Sequence, residues 1–205
     1  MKFYLSSYRL GNKSKELKKL APNKTIALIP NALDYSKDLQ RKKEGIEENK
    51  ISLEKLGFNV ILLDLREYFG KENELKKVID SCGSVFVRGG NTFVLRQAMK
   101  LSGFDNIITK IASSKRDFLY SGYSAGVCIL APSLKGIEIV DDAKQKPYKL
   151  KKTIWEGLGL LDYMIVPHYK SNHPESALVD KEIEYYVQNK ISFKPLKDGE
   201  VIIIE

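Results

Sequence analysis

Ser124 stands between two glycines in Gly122-Tyr123-Ser124-Ala125-Gly126. A serine at the apex of a sharp strand-to-helix turn takes a strained backbone conformation, and side chains two residues away on either side would crowd it. Phe118-Leu119-Tyr120 reads as the strand before the turn and residues 125–130 as an apolar helix after it. This arrangement puts the hydroxyl at the carboxyl edge of a sheet and directs the helix N-terminus and the Ala125 N–H at an oxyanion formed there. The same five residues can also be a turn of small side chains with no chemistry.

A serine hydroxyl needs a base, and the chain has two histidines, His168 and His173. His168 closes the apolar run Tyr163-Met164-Ile165-Val166-Pro167 and is expected at the same sheet edge as Ser124, whereas His173 precedes Pro174 in a loop entering a helix. The acid that orients the imidazole is sought between serine and histidine, where Asp141 and Asp142 lie; adjacent aspartates are also common in solvated turns. Glu138 is placed in an expected strand and Asp162 at the start of one. A second glycine turn, Gly89-Gly90, is expected beside the first and can supply further oxyanion donors, and Asn91 caps the helix that follows it. The spacing of the histidines fits neither a helical metal pair nor a zinc motif, so no metal or other cofactor is expected. Cys82 and Cys128 read as two buried thiols of a reducing compartment.

Short apolar runs alternate with longer amphipathic ones, the order of parallel strands joined by crossover helices. Strands are expected at Phe3-Tyr4-Leu5, 25–29, 60–63, 84–87 and 201–204, and helices at 36–56, 73–81 and 175–188. With 43% hydrophobic and 29% charged residues and no internal linker, the 205 residues are expected to form one α/β domain around a doubly wound, mostly parallel sheet flanked by helices. A net charge of +8 is compatible with anionic partners, but the lysines are scattered and specific nucleic-acid binding is not expected. No apolar run approaches the length of a bilayer span, so a cytoplasmic protein without membrane contact is expected.

Three segments together, Gly89-Gly90-Asn91-Thr92-Phe93, Gly122-Tyr123-Ser124-Ala125-Gly126 and Gly157-Leu158-Gly159 running on to His168, resemble the peptidase E family of aspartyl dipeptidases and, more distantly, cyanophycinases. The resemblance spans nearly the whole chain. It implies a fold similar to class I glutamine amidotransferases, with Ser124 as nucleophile, His168 as base, and Asp142 (or Asp141) as the acid. Gly89 or Gly90 together with Ala125 would form the oxyanion hole. One departure concerns substrate. The arginine that holds the acidic side chain in the aspartyl dipeptidases falls near Lys181-Glu182, and no arginine follows Arg116. A lysine lacks the planar fork of a guanidinium, so aspartyl specificity is expected to weaken, with Asn91, Lys170, Lys181 or the loop 144–152 as candidate substrate contacts. The expected activity is hydrolysis of a small peptide by a monomer or homodimer. An α/β-hydrolase-type esterase and a non-catalytic binding module are the alternatives.

Overall fold

The computed structural model describes residues 1–205. In chain order its elements are β1 (Lys2–Ser6), α1 (Ser14–Leu20), β2 (Thr25–Ile29), α2 (Leu39–Lys55), β3 (Asn59–Leu62), α3 (Glu72–Ser81), β4 (Ser84–Val87), α4 (Thr92–Ser102), α5 (Phe104–Ala112), β5 (Leu119–Tyr123), α6 (Ala125–Cys128), β6 (Met164–Val166), α7 (Ser176–Gln188), β7 (Phe193–Pro195) and β8 (Val201–Ile204). Six strands form the main sheet in the order β3-β2-β4-β5-β1-β8. All its neighbours are parallel except β8, which runs antiparallel to β1. This is the doubly wound, mostly parallel α/β architecture of the glutamine amidotransferase-like type.

Both faces of the sheet are covered, which is why β4 is buried at every position. Along β2 the side chains alternate between two cores. Ile26 and Leu28 pack with Leu17 and Leu20 of α1 and Leu53 of α2. Ala27 and Ile29 join the larger cluster with Val85, Val87 and Phe93. No helix is long and apolar enough to cross a membrane.

Two local expectations are not met. The run ending at His168 does not join the main sheet: β6 pairs in parallel with β7 in a separate two-stranded sheet. Strand β7 is Phe193-Lys194-Pro195, too short and too polar to be read as a strand from its residues. Glu138 lies in a 3₁₀ turn, Ile137–Ile139, and not in a strand.

Backbone passes close to backbone where β4 crosses the turn from β5 into α6. A Cβ on Gly122 would lie 2.6 Å from the Val87 carbonyl oxygen, and one on Gly126 only 2.2 Å from it. The glycines of the serine motif are therefore required by the neighbouring strand as well as by the turn itself. The buried Tyr120 hydroxyl donates to the Gly126 carbonyl at 2.8 Å and ties strand to helix across the turn. Because the opposing atom is main chain and cannot swing away, Gly126→Ala is expected to cost about 1–3 kcal/mol. In thermal denaturation that corresponds to a fall of about 2–4 °C per kcal/mol for a chain of this size.

Candidate active site

Ser124 sits at the turn between β5 and α6 with φ 50° and ψ −123°. A non-glycine residue holds such a conformation only where its surroundings enforce it, and enforced strain of this kind gathers at reactive sites. The residue is only partly buried and borders two cavities. Ala125 opens α6, so its N–H belongs to the first turn, where amides have no partner within the helix. The Gly89-Gly90 turn leaves β4 beside it. A Cβ on Gly89 would lie 2.8 Å from the Ser124 Cβ, and one on Gly90, at φ 147°, would lie 2.5 Å from the Ala32 carbonyl oxygen. The N–H groups of Gly89 and Gly90 donate to no protein acceptor. The glycine turns thus meet at one place, with amide donors around the serine.

His168 arrives from β6 with φ 61° and is 2% exposed. Its Nδ1 lies 2.8 Å from Oδ1 of Asp198, in the turn that leads into β8. Ser7, just beyond β1, connects the two residues. Its hydroxyl donates to Asp198 Oδ1 at 2.8 Å and accepts from the His168 backbone N–H at 2.9 Å. The Asp198 backbone N–H donates to the Ser171 hydroxyl at 2.8 Å and fixes the main chain that carries the carboxylate. A carboxylate at Nδ1 favours the Nδ1–H tautomer and leaves the Nε2 lone pair free to take a proton. Burial lowers the His168 pKa, with neighbouring His173 acting in the same direction and Asp198 opposing both. The imidazole is therefore held neutral near pH 7, as a base requires.

Neither expected acid is hydrogen-bonded to His168, although Asp141 borders the same inner cavity. Asp142 is exposed, and its carboxylate accepts from the Lys144 N–H at 2.8 Å and the Gln145 amide at 3.0 Å in its own loop. Asp141 accepts from the Thr92 N–H at 2.7 Å, at the start of α4. Asn91 is taken up by structure: its Oδ1 caps α4 through the Val94 N–H at 2.9 Å, and its Nδ2 donates to the Asp142 carbonyl at 3.0 Å. Lys170 and Lys181 are exposed and line neither cavity, Lys170 lying over the Tyr169 ring. These corrections share a cause. Polar residues close to the motifs in sequence were spent on capping and turns, while the groups that reach the site come from distant segments.

The two cavities differ in charge. The outer one, about 440 Å³, sets three arginines, Arg9, Arg41 and Arg88, against the acids Glu48, Glu175 and Asp198, with Tyr8 and His173 also in its wall. Arg9 is paired with Glu48 at 2.7 Å, whereas the buried Nε of Arg88 has no partner. The inner one, about 20 Å³, is bounded by Ser124 and His168 and by the carboxyl groups of Asp141, Glu175 and Glu182. Burial is the main reason that all three acids are pushed up, Asp141 to about 6, Glu175 to about 7 and Glu182 to about 8. The His168 and His173 rings stack in parallel at 3.7 Å with Glu175 nearby. Because imidazole ligates through in-plane lone pairs, stacked rings aim theirs side by side and not at one point.

The model of peptidase family S51 matches residues 6–205. A peptidase of Listeria monocytogenes is 32% identical over 183 residues, 88% of this chain and 82% of its own length. Peptidase E of Streptomyces coelicolor is 27% identical over 132 residues, 62% of this chain and 51% of its own. A crystal structure of a Listeria monocytogenes protein assigned to peptidase E superposes with a TM-score of 0.79 at 28% identity, over 99% of this chain and 93% of the other. The chain belongs to peptidase family S51.

Glu182 offers a test of these electrostatics. It is 3% exposed, and its one side-chain hydrogen bond comes from the Tyr186 hydroxyl at 2.8 Å. With its pKa raised from 4.5 to about 8, the folded state retains a proton that the unfolded state releases, so stability falls as pH rises through that window. Glu182→Gln keeps the acceptor for Tyr186 and removes the titration. Its melting temperature is expected to match the parent near about pH 5 and to exceed it by several degrees at about pH 8.5.

Proposed function

We propose that this peptidase is a serine hydrolase that cleaves the amide bond of a small peptide in the manner of a dipeptidase, with Ser124 as nucleophile, His168 as base and Asp198 as the acid that orients it. The observation that carries the reading is the convergence on one cavity of a strained serine and a buried histidine whose far nitrogen is held by a carboxylate at 2.8 Å.

Ser124 Oγ attacks the peptide carbonyl while His168 Nε2 takes its proton, and Asp198 stabilises the imidazolium. The oxyanion rests on backbone N–H groups of the Gly89-Gly90 turn and of Ala125, which exist before the charge forms and need no reorganisation. His168 then gives the proton to the leaving amine. Water, deprotonated by the same imidazole, releases the acyl group and restores Ser124.

The outer cavity supports a short substrate with a free C-terminus. Arginine is the residue best shaped to grip a carboxylate, and Arg88 has a buried donor to spare. The loop 144–152, Lys170 and Lys181 are replaced in that role by Arg9, Arg41 and Arg88.

Ser124→Ala is expected to lower turnover of a cleaved dipeptide by a factor on the order of 10⁴–10⁶ with folding retained; an unchanged rate would remove the serine from the chemistry. Because His168 must be neutral to accept the proton, kcat/KM is expected to fall on acidification with a midpoint below the imidazole's ordinary 6.5. A midpoint above that value would contradict the environment described for His168.

A further inference from the structure

The inner cavity carries more acid than its surroundings neutralise. Glu182 is buried, Asp141 and Glu175 are half-buried, and no lysine or arginine lines the space. The nearest basic groups are the two imidazoles, with Glu175 Oε2 3.7 Å from His168 Nε2 and 3.9 Å from His173 Nδ1. Both imidazole pKa values are lowered, primarily by burial, so these rings supply little positive charge near neutrality. Three carboxyl groups without a cation are costly to hold together, and such a cost persists where a ligand relieves it.

A second feature points the same way. Thr92, 0% exposed, lines the cavity beside Asp141, and no protein group donates to its hydroxyl. A buried hydroxyl to which nothing donates, in a polar space, is an acceptor awaiting a donor. The cavity, about 20 Å³, has room for roughly one water-sized group, which an ammonium is.

Resting on the reading of Ser124 as nucleophile, we propose that this cavity binds an ammonium group carried by the substrate residue whose carbonyl is attacked, and so turns away an acidic side chain there. The cavity is bounded by both Ser124 and Ala125. A carbonyl seated between that hydroxyl and that amide brings substituents of its own Cα to the cavity mouth. The ammonium hydrogens are then shared among Asp141, Glu175, Glu182 and the Thr92 hydroxyl.

The test is calorimetric titration of the Ser124→Ala protein, in which binding is read without turnover. The probes are alanyl-alanine, N-acetyl-alanyl-alanine, aspartyl-alanine and N-acetyl-lysyl-alanine. Alanyl-alanine is expected to bind about 10–100-fold more tightly than its acetylated form and more tightly than aspartyl-alanine, the range typical of charge-assisted hydrogen bonds. Glu182→Gln, added to that protein, is expected to erase most of the difference. Asp141→Asn, which retains an acceptor for Thr92, is expected to do the same, and thermal melting checks that each variant folds. If N-acetyl-lysyl-alanine recovers the affinity, the ammonium comes from the side chain; if it does not, it comes from the peptide N-terminus. Both outcomes uphold the proposal. Equal affinity for free and acetylated peptides, tightest binding of aspartyl-alanine, or no binding of any probe overturns it. Loss of wild-type turnover in Ser124→Ala judges the catalytic reading separately.

Discussion

The site depends on the contact of the Val87 carbonyl oxygen with the two glycines that flank Ser124. With Cβ positions 2.6 and 2.2 Å from that oxygen, neither Gly122 nor Gly126 can carry a side chain without moving strand β4. The close crossing lets α6 begin at the sheet edge immediately after the serine, and it brings the Gly89-Gly90 turn against the Ser124 Cβ. Strain at Ser124, the unpaired amide at Ala125 and the unpaired glycine amides follow from one packing constraint. Side-chain chemistry contributes only the hydroxyl.

The histidine arm is built differently. It hangs on a small sheet outside the main one and is tied back by polar contacts: Ser7 from the end of β1, Asp198 from the turn before β8, and Ser171 from its own loop. Because β8 is the antiparallel edge strand beside β1, the turn before it returns to the carboxyl end of the parallel strands, where Ser7 lies. Burial lowers the pKa of the imidazole and raises those of the acids near it. The same desolvation makes a neutral base of His168 and a set of partly protonated carboxyl groups of its neighbours.

The main sheet was legible because its strands are short apolar runs bounded by turn residues; 25–29, 84–87 and 201–204 coincide with β2, β4 and β8. Ser124, His168 and the glycine turns were legible because each sits at an element boundary with local chemical meaning. Asp198 was not. It stands in Lys197-Asp198-Gly199, a pattern that ordinary turns also use, and nothing near it in sequence marks it as the partner of a histidine thirty positions earlier. The antiparallel return of β8, a tertiary fact, brings it there. Arg88 lay beside the Gly89-Gly90 motif, but its role emerges only when Arg9 and Arg41 arrive from other segments to share the cavity. Glu182 adjoins the candidate lysine Lys181 in sequence, and only the helix phase shows that the glutamate faces inward while Lys181 faces out.

The most direct test of Ser124 acting through His168 and Asp198 is covalent labelling with a fluorophosphonate, followed by peptide mapping and by the labelling rate in two aspartate variants. A single adduct on Ser124 is expected, formed much more slowly in Asp198→Asn and at the parent rate in Asp142→Asn. An adduct on another residue, or a rate that depends on Asp142 and ignores Asp198, would contradict that mechanism.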